Sequence, residues 1–134
     1  MKSDNFYENL IIPGKYLWSI GEGSYTRVMP IHERYKTVIR KFARLAQERY
    51  ARHIEKIILY GSVARDDAGA DSDIDLLVLW NGDENEGWHA MTGLAFDVMV
   101  ESGEYLSVKV VNAHTFNPAS PFFRNVTKEG ITVA

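Results

Sequence analysis

Leu59-Tyr60-Gly61-Ser62-Val63-Ala64-Arg65, followed after a short polar stretch by Ser72-Asp73-Ile74-Asp75-Leu76-Leu77-Val78, is the part of the chain whose reading decides the fold. Lys56-Ile57-Ile58-Leu59-Tyr60 is apolar, β-branched and stopped by Gly61, the pattern of a short buried strand. Asp66 to Ser72 is small and polar and reads as a loop. Ile74 to Trp80 is apolar on both alternating faces, which predicts a central strand covered by helices above and below. Strand side chains alternate, so Asp73 and Asp75 share one face roughly 7 Å apart, while Ile74 points the other way into the core. A glycine directly after a strand lets the backbone turn sharply and a ligand approach closely, and the N–H groups of the next turn point outward toward an anion. Ser62 adds a hydroxyl donor.

Two like charges at the end of a buried strand repel each other, and a metal ion or good hydration has to neutralise them. The chain has no cysteine, so a bound metal must be held by oxygen or imidazole ligands, which favours a hard cation such as Mg²⁺. A calcium loop of the EF-hand type can be tested against Asp71-Ser72-Asp73-Ile74-Asp75, which has ligands at positions one, three and five. That loop needs glycine at position six and glutamate at position twelve, where this chain has Leu76 and Gly82, so the calcium reading fails.

Outward from this centre, Ile31, Tyr35, Val38, Phe42, Leu45 and Ala46 recur at steps of three and four and predict an amphipathic helix from about Pro30 to about His53. Asn81 to Gly87 is a hydrophilic turn. Trp88, Met91, Ala95 and Val98 then keep helical spacing, with Gly103 suited to a left-handed C-terminal cap. A rival reading makes Leu94 to Val100 a strand. Tyr105 to Val111 alternates cleanly and predicts a strand. Ser120 and Pro121 are an N-cap and first-turn pair for a helix whose Phe122, Phe123 and Val126 face the core, closed by Gly130, and Ile131 to Val133 adds a final strand. Helices alternating with strands predict an α/β (α+β) fold, a small mixed sheet flanked by helices. Residues 1–27, broken by Pro13-Gly14 and Gly21-Glu22-Gly23, are expected to form an N-terminal arm on a domain spanning 28–134.

Composition supports one packed domain: 134 residues, 46% hydrophobic and 12% aromatic. No run approaches the length of a membrane span and Met1 to Asn5 begins no apolar signal core, so a cytoplasmic protein without a membrane partner is expected. The net charge of −3 conceals an asymmetry, with Arg34, Lys36, Arg40, Lys41, Arg44, Arg49, Arg52 and Lys56 grouped together and acids crowded between Asp66 and Glu104. This basic group reads as a solvated helix face, with a surface for an anionic partner as the alternative. A nucleic-acid binder fits poorly, because the domain is acidic overall and the bases fall on one helix.

Gly61-Ser62 and the Asp73-x-Asp75 pair, separated by ten intervening residues in strand, turn and strand, resemble the signature of the DNA polymerase β-like nucleotidyltransferase superfamily, in the form seen in minimal nucleotidyltransferases. A weaker likeness extends through Tyr105 to Val110 and Pro121 to Ile131. The resemblance implies that the backbone after Gly61 and the Ser62 hydroxyl hold the phosphates of a nucleoside triphosphate, with Arg65 and Ser72 also at the substrate. It implies that Asp73 and Asp75 are catalytic and bind two Mg²⁺ ions. It implies transfer of a nucleoside monophosphate, AMP from ATP, to a hydroxyl acceptor on another protein or a second subunit. The alternative is a nucleotide-binding or antitoxin module that acts by contact with a HEPN-type helical partner.

Active members of that superfamily place a third carboxylate on a neighbouring strand. Asp97 would serve if Leu94 to Val100 were a strand. If that segment is a helix, the neighbouring strand is Tyr105 to Val111, which offers Ser107 and Lys109 and no acid. Glu101 and Glu104 lie nearby in sequence.

Overall fold

The apolar run at Ile74 occupies the middle of the sheet, as its two dry faces require. The computed structural model describes residues 11–12, 15–16, 33–65, 68–69 and 72–134. In chain order these form β1 (Ile11–Ile12), β2 (Lys15–Tyr16), α1 (Glu33–Tyr50), β3 (Ile54–Tyr60), α2 (Gly61–Arg65), β4 (Ile74–Trp80), α3 (Glu84–Ser102), β5 (Leu106–Asn112), α4 (Pro121–Glu129) and β6 (Ile131–Thr132). β1 pairs antiparallel with β2; the rest of the expected N-terminal arm, with Pro30 and Ile31 of the expected helix start, lies outside the described residues.

The main sheet is mixed and runs β5-β4-β3-β6. β4 is antiparallel to β3 and parallel to β5, and β6 closes the other edge antiparallel to β3. A parallel neighbour cannot be reached by a hairpin, so the chain crosses from β4 to β5 through α3. Helix is therefore the state of residues 94–100. Asp83 caps its start by accepting from the Asn85 N–H, and Gly103 ends it at φ 81°, the left-handed conformation that the sequence suggested.

α1 and α3 cover one face. Val38, Ile39, Phe42 and Ala46 of α1 and Met91, Leu94, Ala95 and Val98 of α3 pack onto Ile57, Leu59, Ile74, Leu76 and Val78. Each large side chain buried here contributes roughly 1.5–3 kcal/mol relative to exposure. On the opposite face, α4 lays Val126 over Leu77 and Leu79, with Phe122 and Phe123 partly buried beside them. Ser120 caps α4 through the Phe123 N–H at 3.3 Å, with Pro121 at its first turn.

Two local departures have clear causes. α1 stops at Tyr50 rather than His53, because the His53 ring is stacked on Trp80 at 4.6 Å and its Nδ1–H donates to the Asn81 carbonyl at 2.7 Å. Trp88, which keeps helical spacing with the buried Met91, Ala95 and Val98, is half exposed. Gly87 meets the sheet instead, lying so close to the Trp80 ring that an added Cβ would come within 2.6 Å of it. The cations of α1 are partly spent inside the protein: Arg34 pairs with Glu104 at 3.4 Å, Lys41 with Glu101, and Arg44 with Glu48 at 3.7 Å. No helix among the described residues is long and apolar enough to cross a membrane.

Candidate active site

β3 ends at Tyr60, and the chain reverses at Gly61 with φ 79°. Only glycine suits this position for two reasons. A side chain there is strained, and a Cβ would collide with the carboxylate of Asp75, whose Cγ lies 3.1 Å from where it would sit. The antiparallel register puts Tyr60 directly opposite Asp75, so the turn after β3 and the first carboxylate of β4 are held together by the sheet ladder itself. α2 follows as a single short turn that buries Val63 and Ala64 and leaves Ser62 and Arg65 facing out.

β4 shows why Asp75 is set apart. It is the one position of that strand that is not buried. Ile74, Leu76, Val78 and Trp80 face α1 and α3; Asp75 faces the α4 side with Leu77 and Leu79, beyond the end of the apolar cover. A cavity of about 370 Å³ opens there, lined by Tyr60, Gly61, Ser62, Arg65, Asp75, Phe122, Asn125, Val126 and Glu129.

Of the residues singled out from the sequence, Gly61, Ser62, Arg65 and Asp75 line this cavity together. Asp73 is exposed just before β4, outside the cavity lining but close enough for its charge to act on Asp75. Ser72 is engaged in its own loop, where its hydroxyl accepts from the Gly69 N–H at 2.8 Å.

The electrostatics follow from this placement. Half-burial, then the charge of Asp73, raises the Asp75 carboxyl above its ordinary range; Glu129 adds to the rise, while Lys109 and Arg65 oppose it. The Tyr60 phenol is pushed up to about 12, first by burial and then by the carboxylate of Asp75.

The acids considered for a third carboxylate are elsewhere. Asp97 is exposed on α3, which covers the face of β4 opposite to Asp75. Glu101 and Glu104 pair with α1. The strand beside β4 brings Ser107 opposite Asp75 and Lys109 two residues on, so a cation stands where an acid was sought. The acid that does reach the cavity is Glu129, from α4. Sequence reasoning missed it, although it lies three residues beyond the core residue Val126 and so shares that face of the helix. Its carboxylate accepts from the Gly61 N–H at 3.3 Å and from Arg65 Nη1 at 3.1 and 3.2 Å.

Comparison with known proteins identifies the family. The family model described as "Nucleotidyltransferase domain" matches residues 39–133. A protein of Methanocaldococcus jannaschii named "Putative protein adenylyltransferase MJ0604" is 32% identical over 94 residues, which cover 69% of this chain and 90% of that protein. The family match runs from the middle of α1 to the residue after β6 and so takes in the whole main sheet and the helices on both of its faces: this chain belongs to the DNA polymerase β-like nucleotidyltransferases.

Proposed function

We propose that the protein transfers a nucleoside monophosphate, AMP from ATP, to a hydroxyl on a partner protein, with Mg²⁺ as the cofactor. The observation that carries this reading is the seating of Asp75 directly against the Gly61-Ser62 turn, in one cavity with Arg65. The name of the archaeal relative favours adenylate and a protein acceptor.

The donor set fits a metal that is shared with substrate. Among the described residues no cluster of three or more His, Asp or Glu side chains forms a closed cage. Mg²⁺ is commonly held by one or two carboxylates plus substrate phosphates, and Asp73 and Asp75 suit that role. Partial burial, then repulsion by Asp73, makes the Asp75 charge costly, and a bound cation would relieve the cost. A bound Mg²⁺ would neutralise phosphate charge and lower the pKa of the acceptor hydroxyl.

The chain's own groups account for the remaining steps. The Gly61 turn, the Ser62 hydroxyl and Arg65 bind the β- and γ-phosphates, and Phe122 with Tyr60 walls the cavity on its apolar side. The acceptor oxygen attacks the α-phosphorus, the bond from α-phosphorus to the α–β bridging oxygen breaks, pyrophosphate leaves beside Arg65, and the hydroxyl proton passes to water. Lys109 supplies a positive charge near Asp75 from the strand where the superfamily places an acid.

Incubation with ATP labelled at its α-phosphate, Mg²⁺ and candidate partner proteins is expected to label an acceptor. Asp73→Asn and Asp75→Asn should each abolish that label. Labelling that survives both substitutions contradicts the reading.

A second reading rests on Ser107 and Lys109 taking the place of the third acid: a module that neutralises a HEPN-type partner by contact. It predicts that an Asp73→Asn/Asp75→Asn double variant still binds and inhibits its partner. Inhibition lost while binding persists refutes it.

A further inference from the structure

The groups best suited to take phosphate are already holding an anion. Glu129 reaches from the last position of α4 and its carboxylate receives both the Gly61 N–H and the Arg65 guanidinium, contacts of 3.1–3.3 Å. It does so across 68 residues of sequence, on the wall of the cavity, with its side chain about a quarter exposed.

Local structure disfavours a carboxylate at this position. The C-terminal end of a helix carries the negative end of the dipole, where a cation is preferred. Glu129 therefore depends on Gly61 and Arg65 for its place, and a stronger anion offered to those two donors would release it. Coexistence is also costly. Like charges close together near a protein surface repel, and a triphosphate seated here would meet Asp75 and Glu129 together.

We propose that Glu129 is an intramolecular stand-in for phosphate: it fills the anion subsite of the empty enzyme and is displaced by the triphosphate of the incoming nucleotide. This rests on the nucleotidyl-transfer reading for the identity of the ligand, though not for the existence of the anion subsite. The displacement lowers the affinity for any ligand that seats a phosphate on Gly61 and Arg65, and leaves ligands without phosphate unaffected. The side chain swings aside through its own rotamers, with the backbone of α4 in place.

Titration calorimetry with Mg²⁺ and the α,β-methylene analogue of ATP tests this on wild type, Glu129→Gln and Glu129→Asp, with adenosine and inorganic tripolyphosphate as companion probes. Glu129→Gln keeps the shape and removes the charge. It is expected to bind the analogue and tripolyphosphate about tenfold more tightly than wild type, the order of one charge-assisted contact, with adenosine unchanged. Glu129→Asp keeps the charge but withdraws it by one methylene and should fall between. Equal or weaker binding of the analogue by Glu129→Gln overturns the stand-in and leaves nucleotidyl transfer in place. Tighter tripolyphosphate binding with no binding of the analogue by either protein upholds the stand-in and sinks the nucleotide reading. If no probe binds to either protein, both fall.

Discussion

Asp75 is a charged side chain at the end of a strand that is otherwise entirely buried, and its environment resists the charge. Its folded-state pKa is raised, so the folded protein holds that proton more tightly than the unfolded chain. The stabilising contribution is complete below the unfolded carboxylate value and is lost as pH rises through the folded value. Asp75→Asn is thus expected to raise the unfolding midpoint at pH 7 and to give no advantage at about pH 3, where both forms are neutral. Thermal melts at the two pH values check this, and equal midpoints at pH 7 would contradict it. Gly61→Ala is expected to act in the opposite sense. It costs about 1–2 kcal/mol for the left-handed backbone alone, and it also pushes the Asp75 carboxylate from its place, so transfer should fall even when the protein is assayed well below its melting temperature. That the Gly-Ser turn and Asp75 meet was legible because their spacing is set by a strand, a turn and a strand. Glu129 was not, because its partners lie 64 and 68 residues away and only the docking of α4 brings them together.

The helices divide the sheet into two unequal halves, and each half can be probed separately. Gly87→Ala gains helix propensity but drives a methyl into the Trp80 ring. Overpacking of this kind typically costs about 1–3 kcal/mol, so a net loss of stability by denaturant titration is expected. On the other face, Leu77→Ala removes a fully buried side chain beneath Val126 and should cost about 2–5 kcal/mol. Because α4 carries Phe122, Asn125 and Glu129 to the cavity, that variant should also weaken binding of the ATP analogue more than Gly87→Ala does at equal loss of stability. The elements themselves were largely readable. Alternation gave β5, caps gave the end of α3 and the start of α4, and the continuous apolar run gave β4 its central place. The helical spacing of Trp88 was right, but spacing alone cannot tell which of two adjacent positions meets the sheet. Gly87 does, because only a residue without a side chain fits against Trp80.

The molecule as a whole joins a rigid frame to a site built at one end of its two central strands. The ladder between Tyr60 and Asp75 fixes the Gly61-Ser62 turn against the carboxylate, α4 roofs the cavity, and α1 with α3 secures the far face. Lys109 on the adjacent strand gives this member of the family a charge pattern different from the three-acid arrangement, with one cation and the Glu129 carboxylate around the Asp73-Asp75 pair. A crystal structure of the protein with the α,β-methylene analogue of ATP and Mg²⁺ tests that arrangement most directly. The account predicts triphosphate oxygens on the Gly61 N–H, Ser62 and Arg65, metal on Asp73 and Asp75, and Glu129 turned out of the cavity. Triphosphate bound away from Gly61, or a metal that bypasses both aspartates, would contradict it.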